Sequence, residues 1–169
     1  VPEIALTPQL LGRMTAHFGK TVAVLHSSLR VGERYDEWRR IARGEARVVV
    51  CTRSAVFAPL QSPGLLILDE EQEHTYKSEN APRYHAREIA LYRGAKAGAL
   101  VLFGSATPSI ETMYLAKTGV YTLYTLKTRY NGRALPAARL IDMKQELRAG
   151  NDLDLSRELE EGVRDAILD

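Results

Sequence analysis

Cysteine is almost missing: Cys51 is the only one in 169 residues, which excludes an internal disulfide and fits a reducing compartment. At the end of an apolar run it reads as a small buried hydrophobe. Long apolar stretches are missing as well. Nothing approaches the roughly 18–20 residues of a membrane span and no secretory pattern opens the chain, so a cytoplasmic location without membrane contact is expected. No Cys and no third His stands at ligand spacing from His74 or His85, so both read as hydrogen-bonded or solvated side chains. The phosphate-cradling pattern Gly-x-x-x-x-Gly-Lys-Ser/Thr is absent too. Its only lookalike, Met14 to Thr21, has Met14 where the first glycine belongs and precedes a strand instead of following one. Gly19 is better read as the C-cap of a helix carrying Leu10, Leu11, Met14 and Phe18 on one face.

What is present is a regular alternation of short apolar runs and helical patterns. Strands are expected at 22–25, 48–51, 65–68, 99–103, 120–126 and 139–142. Helices are expected near 31–43 (Val31, Tyr35, Trp38 and Ile41/Ala42 on one stripe), 85–96 and 109–118, with a last amphipathic helix carrying Leu155, Leu159, Val163 and Ala166/Ile167. This order predicts an α/β fold with a doubly wound, mostly parallel sheet. A turn-rich stretch from Arg129 to Pro136 divides the chain into 1–128 and 129–169. At 45% hydrophobic residues, the chain can bury a sizeable core. Net charge is only +2 but uneven: residues 1–139 hold 19 Lys/Arg against 12 Asp/Glu, and residues 140–169 hold 4 against 9. A basic body of this kind suits contact with a phosphate backbone, as it also suits ordinary solvated faces.

Two strand ends carry the chemistry. Leu65-Leu66-Ile67-Leu68 reads as a strand covered on both faces and ends in Asp69-Glu70. Ligands of parallel sheets sit at carboxyl ends. Acids placed there match the Walker B arrangement, in which the first carboxylate holds Mg²⁺ and the second orients or deprotonates the attacking water. Simple solvated acids are the plain alternative. The next run, Ala99 to Phe103, ends in Gly104-Ser105-Ala106-Thr107-Pro108. The hydroxyls there suit a carboxylate or phosphate, and Gly104 admits a close backbone approach. The same residues also read as a helix start, with Thr107 as cap and Pro108 in the first turn.

Asp-Glu followed by Ser-Ala-Thr resembles motifs II and III of superfamily-2 helicases. The segments Val1 to Gln9, Thr52-Arg53-Ser54 to Pro59, Asp69-Glu70-Glu71-Gln72, Arg83-Tyr84-His85-Ala86-Arg87 and Gly104 to Pro108 together resemble the PriA-type helicases, over residues 1 to about 142. The departure is Gln72, where that family's pattern has His. The resemblance implies a RecA-like lobe, cut just after its P-loop and lacking the P-loop strand and helix, with 129–169 leading toward a second lobe. It implies an ATP-dependent DNA helicase of replication restart and primosome assembly, with ATP and Mg²⁺ as cofactors, and zinc only in a C-terminal part outside this chain. Its partners would be single-stranded or forked DNA and other primosome and replication-restart proteins. Asp69 (through Mg²⁺) and Glu70 would be catalytic. Gln72, Gly104, Ser105, Ala106 and Thr107 would couple hydrolysis to movement. Thr7, in a stretch like helicase motif Ia, would meet the phosphate backbone. Thr52, Arg53 and Ser54 sit where Arg53 can fork onto a phosphate. The run from Gln72 to Arg87 interleaves Tyr76, Lys77, Arg83, Tyr84 and Arg87, a mixture that stacks bases and neutralises charge; a surface loop with core-capping tyrosines is the alternative. A nucleotide kinase on the same sheet would share the acidic strand end without the other motifs. A non-catalytic DNA-binding module is the second alternative for a chain without a P-loop.

Overall fold

Runs of four or five aliphatic residues form the strands, and the amphipathic segments between them form helices. The computed structural model describes residues 1–2, 8–26, 29–128, 132 and 137–168. In a first unit, Val1–Leu123, the order is α1 (Pro8–Phe18), β1 (Val22–Leu25), α2 (Val31–Ala42), β2 (Val48–Cys51), β3 (Leu65–Asp69), α3 (Ala86–Ala97), β4 (Leu100–Gly104) and α4 (Ile110–Lys117). Short 3₁₀ turns lie at Gly19–Thr21, Arg53–Phe57 and His74–Tyr76. A second unit, Tyr124–Asp169, holds α5 (Met143–Arg148) and α6 (Arg157–Leu168).

The strands pair in parallel, as the alternation implies. β1 pairs with β2 from Val22↔Val48 to Leu25↔Cys51, and β3 with β4 from Leu65↔Leu100 to Asp69↔Gly104. Among the described residues these stand as two separate pairs; the ladder does not continue from one to the other. Ala23, Leu25, Ile41, Ala46 and Cys51 form one core, and Val56, Leu68, Tyr76, Ala86 and Ala90 the other. Cys51 is buried, its Sγ 3.3 Å from Ser54 Oγ. In the second unit, Glu146 of α5 accepts hydrogen bonds from the Arg157 backbone and side chain and from Asn151, which fastens the start of α6.

Several expectations are corrected. β3 is covered on one face only: α3 packs on that side through Ala86, Ala90 and Gly94, while Leu65 and Ile67 and their neighbours Leu100 and Leu102 remain 45–66% exposed. Residues 120–126 form no strand. The Gly119 turn (φ +80°) sends the N–H groups of Val120 and Tyr121 back to Leu115 O, and no ladder partner follows. Residues 139–142 also form no strand, because Asp142 accepts from Lys144 N and so caps α5. Ser109, not Thr107, caps α4 by accepting from Thr112 N, and the helix begins at Ile110 rather than Pro108. On the α2 stripe only Ile41 is buried. α1 ends at Phe18, and Gly19 follows with φ +61°.

Candidate functional site

The register of β3 and β4 brings their carboxyl ends together, with Asp69 opposite Gly104. A Cβ at position 104 would lie 3.1 Å from Asp69 Oδ1, so glycine there lets the carboxylate sit close to the neighbouring backbone. Glu70 then turns sharply at φ +48°, and its N–H donates to Asp69 Oδ1 at 3.1 Å. That turn points the Glu70 side chain toward Gln72, whose Nε2 donates to Glu70 Oε2 at 2.9 Å. Gln72 Oε1 in turn accepts from Ser105 Oγ at 2.5 Å, and Ser105 Oγ accepts from Thr107 N at 2.9 Å. Acids of one strand end are thereby joined to the hydroxyl segment of the next. Ala106 is exposed within this link, and Thr107 enters it through its backbone.

Glu71, passed over in the sequence, is a buried hub. Its N–H donates to Gly104 O, and its carboxylate accepts from Ser109 N (2.7 Å), Ser109 Oγ, Thr112 Oγ1 (3.0 Å) and Arg87 Nη1 (3.3 Å). One acid thus fastens the turn after β3, the start of α3 and the start of α4. The only local signal for it is the Ser-x-x-Thr spacing of Ser109 and Thr112. Arg87 was expected at a nucleic-acid surface; its Nη1 is engaged inward with Glu71, Ser109 and Thr112.

The stretch from Gln72 to Arg87 is a closed loop. Lys77 bridges His85 in antiparallel fashion, and Ser78 N donates to Tyr84 O at 2.7 Å. Tyr76 is buried and donates from its hydroxyl to Asp69 O at 2.6 Å. Its ring is therefore core, and the expectation of a stacking surface at Tyr76 is corrected. Burial, then the charge of Asp69, pushes its phenol far above the ordinary range. Arg53 Nη1 donates to Lys77 O (2.6 Å) and Thr75 O (3.3 Å), pinning the loop, and its guanidinium carbon lies 5.8 Å from the Tyr84 ring centroid. Phe57 meets Tyr84 edge-on at 4.9 Å. Lys77 and Arg83 are exposed, and Thr52 and Ser54 flank Arg53. His85 caps α3 by accepting from Arg87 N at Nδ1; burial, then Arg87, lowers its pKa. Thr7 lies outside the described residues.

The class defined by these features is an α/β protein with parallel strand pairs and a carboxylate-bearing strand end wired to its neighbour. The chain is 50% identical over 167 residues, 99% of its length, to replication restart protein PriA of Bacillus subtilis (strain 168). It is 47% identical over 146 residues to PriA of Treponema pallidum (strain Nichols), covering 86% of the chain. To PriA of Synechocystis sp. it is 44% identical over 165 residues, 95% of the chain. The chain belongs to the PriA family and spans 20–22% of the length of these relatives. No family model matches it.

Proposed function

We propose that this segment forms part of the ATP-hydrolysing lobe of a DNA helicase that acts in replication restart. The observation that carries the reading is the contact chain Glu70–Gln72–Ser105 across the paired ends of β3 and β4. It gives the strand-end acids a direct mechanical link to a second strand, which a solvated strand end has no use for. Asp69 is exposed and offers a single carboxylate. Mg²⁺ characteristically takes one or two carboxylates and completes its shell with substrate phosphates and water. When bound, Mg²⁺ neutralises charge building on the transferred phosphoryl group. Glu70, oriented by the Gln72 amide, holds the attacking water and takes its proton. Gln72 and Ser105 pass changes at Glu70 to the segment that starts α4. The phosphate cradle and the second lobe are assigned to parts of the protein outside this sequence. The continuous doubly wound sheet is assigned likewise.

Single-stranded or forked DNA lies, on this proposal, over Thr7, Thr52, Ser54, Lys77, Arg83 and Tyr84, with Arg53 and Arg87 holding the loop in place. Asp69 carries the other end of that loop through the Tyr76 hydroxyl, so strand binding reaches the acids by a short route. Primosome and replication-restart proteins are the partners, in the cytoplasm; no described helix is long and apolar enough to cross a membrane. The test is ATP turnover by the full-length protein with and without single-stranded DNA. DNA should stimulate turnover, and Asp69→Ala should weaken Mg–ATP binding and turnover together. Turnover that survives Asp69→Ala would refute the assignment.

A further inference from the structure

A cavity of about 590 Å³ opens where β1 and β2 end, within the first unit, and Asp69 is not among its lining residues. Arg34 and Trp38 of α2 form one wall. Arg53 and Phe57 of the 3₁₀ turn, Tyr84, and His26 just past the end of β1 also line the cavity. Two of these rings stand open to solvent: Trp38 is 40% and Phe57 45% exposed. Among the described residues the Trp38 indole has no ring partner and its N–H no acceptor, so a large flat surface faces the cavity unused. The group of Arg53, Phe57 and Tyr84 is fixed by its own contacts. Tyr84 is held edge-on by Phe57 and faced by Arg53, which is itself tied to the backbone of Thr75 and Lys77.

We propose that this cavity takes one unpaired nucleotide of a DNA strand, with its base stacked on Trp38 and its phosphodiester beside the arginines. The chemistry of the lining selects that ligand. Aromatic faces flanked by arginines suit a base joined to an anion. The volume falls within the range of small-ligand sites. Among the described residues that line the cavity there is no Asp or Glu, while Arg34 and Arg53 supply positive charge suited to a phosphodiester. Thr52 and Ser54, just past the end of β2, also line the cavity and belong to the path along which a strand is proposed to run. The proposal rests on the DNA-contact half of the proposed function and is independent of the chemistry at Asp69 and Glu70.

Trp38 is the only tryptophan of the chain, so its emission reports on this cavity alone. The experiment titrates the chain with single-stranded oligothymidylate, following Trp38 emission and, in parallel, the anisotropy of a labelled oligonucleotide. Trp38 should be quenched with the same midpoint as the anisotropy rise. An abasic oligonucleotide of equal length should bind about tenfold more weakly, the scale of one lost base–aromatic stack, and leave the emission unchanged. Trp38→Ala should weaken binding to a similar degree, and Trp38→Phe, which keeps a ring, by less. Binding seen by anisotropy with Trp38 unquenched would overturn this proposal alone. No binding at all would overturn it together with the DNA contacts proposed above. Equal quenching by free thymidine monophosphate would show a pocket for free nucleotides and overturn the strand assignment.

Discussion

Glu70 is the only residue other than glycine with positive φ among those described, and it follows directly on the end of β3. Backbone in that region is uncommon for a side chain of this size and is held only by its surroundings. Here the surroundings are Asp69 Oδ1 on its N–H and Gln72 on its carboxylate. That Asp69, Glu70, Gly104 and Ser105 come together was legible because they sit at strand ends, which the sequence pattern locates well. Tyr76, Arg87 and Glu71 were not, because burial depends on contacts between α3, α4 and β3 that no local pattern records. Glu71→Gln should destabilise the protein by about 1–3 kcal/mol, measured by urea unfolding, since Arg87 loses its charged partner and the hub keeps only one carbonyl oxygen. His85 supplies a pH test. Its native pKa lies below 6.5, so below that pH the unfolded chain takes up the proton first. Stability should therefore fall as pH drops from about 6.5 toward the native value, and the α3 cap should fail, since a protonated Nδ1 no longer accepts from Arg87 N. Hydrogen exchange at the Arg87 amide across this range checks it; exchange that is flat with pH would contradict it.

Strands and helices are unevenly legible in the sequence, for a physical reason. An aliphatic run announces a strand but not which faces are covered, so the bare side of β3 and β4 could not be foreseen. The runs 120–126 and 139–142 carry strand-forming residues, yet among the described residues neither joins a β-ladder. Conversely α5 is six residues long, with too few turns to show a helical period, and only its Asp142 cap marks it. The packing of α3 on β4 turns on Gly94, where an added Cβ would run into Val101 Cγ2. Gly94→Ala should accordingly lower stability by about 1–3 kcal/mol, the usual cost of overpacking, although alanine is intrinsically the better helix former by about 1 kcal/mol. A higher melting temperature for this variant would contradict the tight packing. At the same scale, the β3–β4 link should carry coupling. Ser105→Ala with Thr107→Ala in the full-length protein should leave most ATP turnover intact while strand displacement falls. Equal loss of both would place the hydroxyls in the chemistry itself.

For the whole molecule, the proposed DNA affinity should weaken as salt rises, because the basic excess of residues 1–139 would release counterions from the phosphate backbone. The chain represents about a fifth of its relatives' length and carries no P-loop pattern. By itself it is expected to release no phosphate from ATP above background; release abolished by Glu70→Gln would contradict that. The central claim is that Glu70 handles the attacking water of ATP hydrolysis, while Asp69 serves the metal. The most direct measurement is made on the full-length protein carrying Glu70→Gln, comparing Mg–ATP affinity with DNA-stimulated turnover. Affinity should stay near wild type while turnover falls by about 10²–10⁴, the scale of positioned acid–base help. Turnover at the wild-type rate, or a loss of ATP binding that accounts for the whole effect, would contradict it.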